Sequence, residues 1–370
     1  AMGIRAQDKR SLRLVADVAD GDGDAPRAGR RIDNPPNPFV SEERTWLEGL
    51  EPPAQLEVWE DASRSILSSN DSPDIGFRYS VNPYRGCQHA CAYCYARPTH
   101  EYLSFGAGTD FDRKILVKPR AARLLREAFD RPSWKGEQLV FSGVTDCYQP
   151  LEASYRLTRQ LLEVCVAYRQ PLHVITKAPL VERDVDLLAQ LRDVARVGVT
   201  VSIPFWDEGH ARAVEPLVAT PRRRVETIRR LAAAGIPVGV NVAPLIPGLG
   251  DEDMPRVLEA AAEAGAQSAG WVMLRLPGPV RAVFEHRLKE ALPLRAERVL
   301  HRVREVRGGA LYDSRFGVRG TGEGPYAEAM SRLFDATCKR LGLRTHHAGA
   351  EGGETTFRSP VKIPPQLSLF

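Results

Sequence analysis

Asn82–Arg97 reads NPYRGCQHACAYCYAR and holds three of the six cysteines of the chain, Cys87, Cys91 and Cys94. The spacing is C-x3-C-x2-C, with Tyr93 directly before the last cysteine. Thiols this close in sequence suit a metal or an iron–sulfur cluster better than disulfide pairing. Three thiolates leave a four-iron cluster one ligand short. An iron with an open site can bind a small molecule, and that is a catalytic arrangement. The competing arrangement is a structural zinc knuckle in which His89 joins the three cysteines. Against it, His89 lies between two cysteines and only two residues from each, whereas structural zinc sites draw ligand pairs from separated segments.

The stretch resembles the signature of the radical S-adenosylmethionine (SAM) superfamily. There a C-x3-C-x-aromatic-C loop holds a [4Fe–4S] cluster, and the fourth iron takes the amino and carboxylate groups of SAM. An electron from the cluster splits SAM into methionine and a 5′-deoxyadenosyl radical, which abstracts a hydrogen atom from the substrate. The resemblance therefore implies two cofactors, a [4Fe–4S] cluster and SAM, and an electron donor such as flavodoxin or ferredoxin.

Around the motif the chain alternates short apolar runs with helical patterns. Strands are expected at Phe77–Val81, Leu139–Ser142, Leu172–Thr176, Gly198–Ile203, Val238–Ala243 and Trp271–Leu274. Helices are expected at Arg120–Phe129, Tyr155–Tyr168, Val185–Arg192, Arg222–Ala234 and Met254–Ala264. Pro171 and Pro237 stand just before strands, where a missing donor is tolerated. Such alternation predicts an α/β fold of parallel units with right-handed crossovers. Six units fit the partial (β/α)6 barrel of the radical SAM type. The cysteine loop follows the first strand, at the carboxyl end where barrel active sites sit.

The other candidate residues lie at strand ends. Ser142, Gly143 and Thr145 close the second strand, and small residues there let a ligand approach the backbone. The resemblance implies that this segment meets the methionine amino group of SAM. It also implies that Ser202 and Asn241 contact the ribose or carboxylate, and that Tyr93 packs near the adenine. Lone Ser and Asn residues at strand ends also serve as local turns or caps. Lys177 follows the third strand as a cation able to meet a carboxylate or phosphate, or simply solvent.

Asp146–Glu152 (DCYQPLE), with Thr176-Lys177 and the Tyr-Cys-Tyr-Ala-Arg that ends the cysteine loop, resembles a bacterial group described as DNA repair photolyases. That group is related to spore photoproduct lyase, which reverses a thymine dimer by radical chemistry, and damaged DNA is the implied substrate. The lyase returns a hydrogen atom from a cysteine near its second strand. Cys147 stands a few residues out of register with that position and is the candidate donor, with a packed, unreactive thiol as the alternative. Cys165 and Cys338 have apolar neighbours in helical patterns and read as core. Other substrates for the same chemistry are RNA or a peptide; a non-catalytic DNA-associated metal protein is a reading from a different class.

The 370 residues are 43% hydrophobic, enough for a sizeable core, and carry a net charge of only +4, so composition alone does not argue for nucleic acid. No run of eighteen apolar residues occurs and no membrane contact is expected. Arg5, Asp8, Lys9 and Arg10 displace any apolar leader, and six cysteines in such a chain point to a reducing, cytoplasmic setting. Residues 1–60 read as an extension. Within it, Asp20–Asp24 resembles a calcium loop, but Arg31 occupies the twelfth position where a Glu would be needed. Residues 61–275 read as the barrel and 276–345 as a helical, substrate-covering region. In that region Arg281–Arg307 is an arginine-dense helical stretch, and Tyr312–Gly320 mixes aromatics and arginines in a glycine-rich loop that can meet phosphates and bases or pack as a lid. Residues 346–370 read as a flexible tail. It ends in Gln366-Leu367-Ser368-Leu369-Phe370, which resembles the QLxLF peptide by which bacterial repair proteins bind the sliding clamp.

Overall fold

The computed structural model describes residues 12–18, 55–345 and 355–360. Strand β1 (Leu12–Val18) pairs antiparallel with β2 (Leu56–Asp61). A hairpin of β3 (Leu67–Ser69) and β4 (Tyr79–Val81) follows, then β5 (Tyr84–Arg85) directly before the cysteine loop. After a 3-10 helix (Arg97–Leu103) come α1 (Thr109–Arg113), β6 (Lys114–Val117) and α2 (Ala121–Phe129). Strands β1-β2-β6-β5 form one small sheet. Residues 12–18 and 56–60, read from sequence as extension, thus belong to strands of a sheet whose fourth member leads into the cysteine loop.

The larger sheet continues with β7 (Leu139–Phe141), α3 (Glu152–Tyr155), α4 (Leu157–Ala167), β8 (Leu172–Thr176), α5 (Val185–Val194) and β9 (Val197–Ser202). It proceeds through α6 (Glu208–Val214), α7 (Pro221–Ala233), β10 (Val238–Leu245), α8 (Met254–Glu263) and β11 (Ser268–Met273). Helices α9 (Val280–Ala291), α10 (Pro293–Glu305) and α11 (Pro325–Leu341) and the short β12 (Arg344–Thr345) complete it. The order is β12-β11-β10-β9-β8-β7-β4-β3, with β4 to β12 in parallel pairs. All six strands expected from the periodicity are present. The long arginine stretch is two helices because Pro293 cannot continue α9 and suits the first turn of α10.

Alternation along the strands separates the two faces. Val197, Val199, Val201, Val238, Val240 and Val242 are buried in the core that α2, α4, α5, α7 and α8 share with the sheet. The alternate positions Gly198, Thr200, Ser202, Gly239, Asn241, Gly270 and Val272 therefore face inward. Most are small, so the interior is open, and Val272 is 37% exposed within it.

The open side between the two ends of the sheet is bridged by the 311–320 loop. The Met273 N–H donates to the Gly320 carbonyl at 2.8 Å. At the other end, Asp74, between β3 and β4, accepts from the Gly317 N–H at 2.8 Å and from Arg319 Nε at 2.5 Å. This is the packed lid of the two readings of that loop. Several arginines of α9 and α10 pair with nearby acids, as in Arg281–Glu285, Arg298–Glu252 and Arg302–Glu305.

The tail departs from its expected flexibility at 355–360. Phe357 packs against Phe129 and Tyr168 with ring centroids 5.5 and 6.0 Å away. Thr355 Oγ1 donates to the Gly136 carbonyl, and the Arg358 N–H to the Tyr168 carbonyl. One phenyl ring with an aromatic seat suffices to dock a segment whose composition reads as linker. Asp20–Asp24, Arg31 and the peptide Gln366–Phe370 lie outside the described residues.

Candidate active site

The cysteine loop is held by its surroundings. Gly86, just before Cys87, has φ +77°, and a Cβ there would come within 2.9 Å of the His100 ring, Ile115 and the Phe111 carbonyl. Only glycine fits that turn. The Cys87 N–H donates to the Phe111 carbonyl at 3.0 Å and the Ala92 N–H to the Val214 carbonyl at 2.9 Å. Arg97 closes the motif and is 0% exposed. Its Nε and Nη2 donate to the Cys91 carbonyl at 3.1 and 2.9 Å, its Nη1 to the carbonyls of Ala107 and Gly108, and its Nη2 to Asp112 at 2.9 Å. The guanidinium also faces the Phe111 ring at 5.1 Å.

The loop after β7 clamps the same motif from the other side. Gln149 Oε1 accepts from the Gln88 N–H at 3.0 Å, and its Nε2 donates to the Gly86 carbonyl at 3.0 Å. In return Gln88 Oε1 accepts from the Leu151 N–H at 2.8 Å. Asn82 Nδ2 donates to the backbone and hydroxyl oxygens of Thr145. Thr145, expected to touch the cofactor, is buried and acts in this clamp.

Cys87 and Cys91 are buried, Cys94 less so, and the other two thiols lie within electrostatic range of Cys87. Burial pushes all three thiols up. His89 does not join them. Its Nδ1 faces Asp146 at 3.5 Å, and burial holds its pKa down. Three thiols on one loop, with the histidine turned to a carboxylate, fit a multi-iron cluster, whose irons each take one thiolate.

Beside the thiols runs a buried ionic network. Tyr93 donates its hydroxyl to Glu215 Oε1, Arg224 Nη2 donates to Oε2 at 2.5 Å, and Lys177 Nζ is 4.0 Å from Oε1. Burial pushes the Glu215 carboxyl up, but Arg224 and Lys177 outweigh it and hold the pKa below the ordinary carboxylate range. Lys177 Nζ sits 5.8 Å from the centre of the Tyr93 ring and donates to the Ala243 carbonyl at 3.3 Å. Asp146 fixes the base of Lys177, accepting its N–H at 2.8 Å along with the Thr176 hydroxyl.

The structure thus brings Cys91, Tyr93 and Lys177 together at the carboxyl ends of the strands. Ser202 and Asn241 are register partners on the inner face of β9 and β10. Ser142 has φ +72°, a conformation a non-glycine residue holds only under constraint, and its Oγ accepts from the Cys147 N–H at 2.8 Å. At Gly143 a Cβ would lie 2.5 Å from Ser80 Cβ, and the Gly143 carbonyl accepts from the Tyr95 hydroxyl at 2.8 Å. Cys147 departs from expectation. It is fully buried in the core between sheet and helices, its thiol beside the Ser142 and Thr158 hydroxyls, and so it does not line the barrel interior. The loop after β7 turns at Ser142 and carries the thiol toward α4, a path spacing alone does not reveal. Glu215 and Arg224 escaped the sequence reading. Arg97, Gln88 and Gln149 stand inside the stretches quoted from the sequence, with no role assigned to them there.

Comparison with known proteins agrees with this geometry. Residues 81–261 match the Radical SAM superfamily. An uncharacterised protein of Mycobacterium tuberculosis is 41% identical over 221 residues, 59% of this chain and 65% of that protein, so the chain spans just under two thirds of its length. An uncharacterised protein of Methanocaldococcus jannaschii is 31% identical over 198 residues, 54% of this chain and 71% of that protein. Among solved structures, spore photoproduct lyase complexed with dinucleoside spore photoproduct superposes with a TM-score of 0.55 at 15% identity, covering 77% of this chain and 80% of that one. That likeness is one of fold. With a three-cysteine loop seated at the carboxyl ends of a six-stranded partial barrel, and with these relatives, the chain belongs to the radical SAM superfamily.

Proposed function

We propose that the protein is a radical SAM enzyme acting on damaged DNA by photoproduct-lyase-like chemistry, with a [4Fe–4S] cluster on Cys87, Cys91 and Cys94. The observation that carries the reading is the three-thiol loop, fixed from both sides and opening onto an interior of small side chains, in a fold shared with spore photoproduct lyase. Bound there, the cluster and SAM supply a 5′-deoxyadenosyl radical. The chain's own part is to bind and orient. Lys177, Ser202 and Asn241 offer a cation, a hydroxyl and an amide to the polar groups of SAM, and the backbone at Ser142 and Gly143 permits close approach. Tyr93, tied to Glu215, sets the wall beside the thiols. The 311–320 loop keeps the side of the barrel shut, so that a reactive intermediate is protected from solvent. A flavodoxin or ferredoxin is the fitting electron source, in the cytoplasm.

Gln366, Leu367, Leu369 and Phe370 add a tether to a bacterial sliding clamp. A short peptide with few contacts binds at about micromolar strength, on the order of −8 kcal/mol. Replacing Leu369 and Phe370 with Ala is expected to abolish binding to purified clamp while leaving iron content unchanged.

The function itself is tested by incubating anaerobically reconstituted, dithionite-reduced protein with SAM and ultraviolet-irradiated DNA. Formation of 5′-deoxyadenosine together with loss of one photoproduct is the expected result. SAM cleavage with every photoproduct unchanged would remove the repair reading and keep the enzyme class. No cleavage under any condition would remove both.

A further inference from the structure

The acids at the barrel mouth are already engaged. Asp146 accepts from Thr176, from the Tyr148 N–H and from the Lys177 N–H, and Glu215 is held by Arg224 and Tyr93. One cation there has no such partner. Arg275 stands just past the end of β11 between the buried Leu274 and Leu276. Its Nε is buried with no acceptor, and among the described residues its guanidinium enters no hydrogen bond or ion pair. Tyr95 of the cysteine loop lies within electrostatic range, 49% exposed, its hydroxyl anchored on the Gly143 carbonyl. Arg307, also in range, is committed to the carbonyls of Leu274, Val318 and Arg319. The acid near Arg307, Asp313, is bonded to Arg315.

A guanidinium set into a partly buried wall with an unmet donor is costly unless an acceptor arrives, and its planar fork matches the oxygens of a phosphate. We infer that Arg275 binds an anionic group of the substrate, a phosphodiester of the DNA strand entering the barrel, with Tyr95 flanking it. The inference rests on the nucleic-acid reading above. It assigns Arg275 to positioning: the phosphate fixes which nucleotide faces the interior. The same oxyanion chemistry belongs to the SAM carboxylate, and the experiment separates the two.

Reconstituted wild-type, Arg275→Gln and Arg275→Lys proteins are titrated with a short, fluorescein-labelled, ultraviolet-irradiated oligothymidylate by anisotropy at several salt concentrations, and separately with SAM by calorimetry. Arg275→Gln is expected to weaken oligonucleotide binding about tenfold and to lower the salt slope by about one, with Arg275→Lys in between, because a lysine keeps the charge but not the fork. SAM affinity and iron content stay at wild-type values. Weakened SAM binding with unchanged oligonucleotide binding overturns the assignment in favour of the carboxylate. Equal affinities in all three proteins for both ligands overturn it in favour of a purely structural arginine. If the wild type binds SAM but not the oligonucleotide, the DNA reading itself fails and the phosphate assignment falls with it.

Discussion

Replacing Arg97 with Met isolates what holds the cysteine loop. The methionine keeps much of the buried stem and removes every donor. The Cys91 carbonyl loses two bonds, the Ala107 and Gly108 carbonyls one each, and Asp112 its guanidinium. Burial raises the pKa of Asp112 to about 6 even with the Arg97 guanidinium holding it down, and removing Arg97 raises it further, so at pH 7.5 the carboxyl must either stay charged without its bonded cation or take up a proton. Breaking one side of such a buried pair costs about 3–5 kcal/mol, far less than the sum of the individual bonds, because their energies are not additive. A loss near 4 kcal/mol lowers the melting temperature by on the order of 10 °C. The further change Asp112→Leu, made on the Arg97→Met background, removes the stranded carboxyl and should restore part of the loss, whereas alone it should destabilise. The assay is thermal and urea unfolding of the three apo-proteins at pH 7.5, with iron content after reconstitution as a second readout. Iron retention should fall in Arg97→Met even where the fold survives, since the Cys91 carbonyl is then unheld. An Arg97→Met protein within about 1 kcal/mol of wild type, or a double variant no better than the single, would refute this reasoning.

Replacing Cys87, Cys91 and Cys94 together with Ala should abolish iron binding, and full iron content after anaerobic reconstitution would remove the cluster assignment. Phe357→Ala should free the docked segment, so that trypsin cleaves after Arg358 about tenfold faster while the barrel stays resistant; equal rates would show that the aromatic seat does not hold the tail. Burial holds the pKa of His100 down at about 4, beneath the ordinary 6.5, so the unfolded chain takes up its proton first. Stability contributed by neutral His100 is complete above pH 6.5 and lost as the pH falls toward 4, on the order of 2 kcal/mol by pH 5. His100→Gln should lose correspondingly less between pH 7.5 and pH 5 in urea titrations, and an identical loss would place the acid sensitivity elsewhere.

The fold was legible because its strands obey one rule throughout. Runs such as Val238–Ala243 place valines on the helix side at every second position, and the helices between them carry apolar stripes that match. The cysteine loop was legible because its ligands are local. The small sheet was not: β2 and β6 pair across more than fifty residues, and β5 is two residues long, too short to leave a period. Docking of 355–360 was equally hidden, since one phenylalanine decides it.

What the sequence withheld of the site has a common physical character. Glu215 and Arg224 are nine residues apart on different elements, and Tyr93 and Lys177 arrive from two others. Glu215 and Arg224 read alone as ordinary surface residues, because charged side chains usually are. Only the folded chain shows that they neutralise one another inside the protein. A network of this kind adds little net stability over apolar packing. Its value lies in holding Tyr93 and the following Cys94 at a fixed place, through the bonds of Tyr93 and Arg224 to Glu215. Arg275 reads the other way by the same accounting. It is half-buried, its Nε is buried, and its guanidinium has no acceptor among the described residues, which is why it, rather than Arg97, Arg224 or Arg307, is the arginine assigned to a ligand.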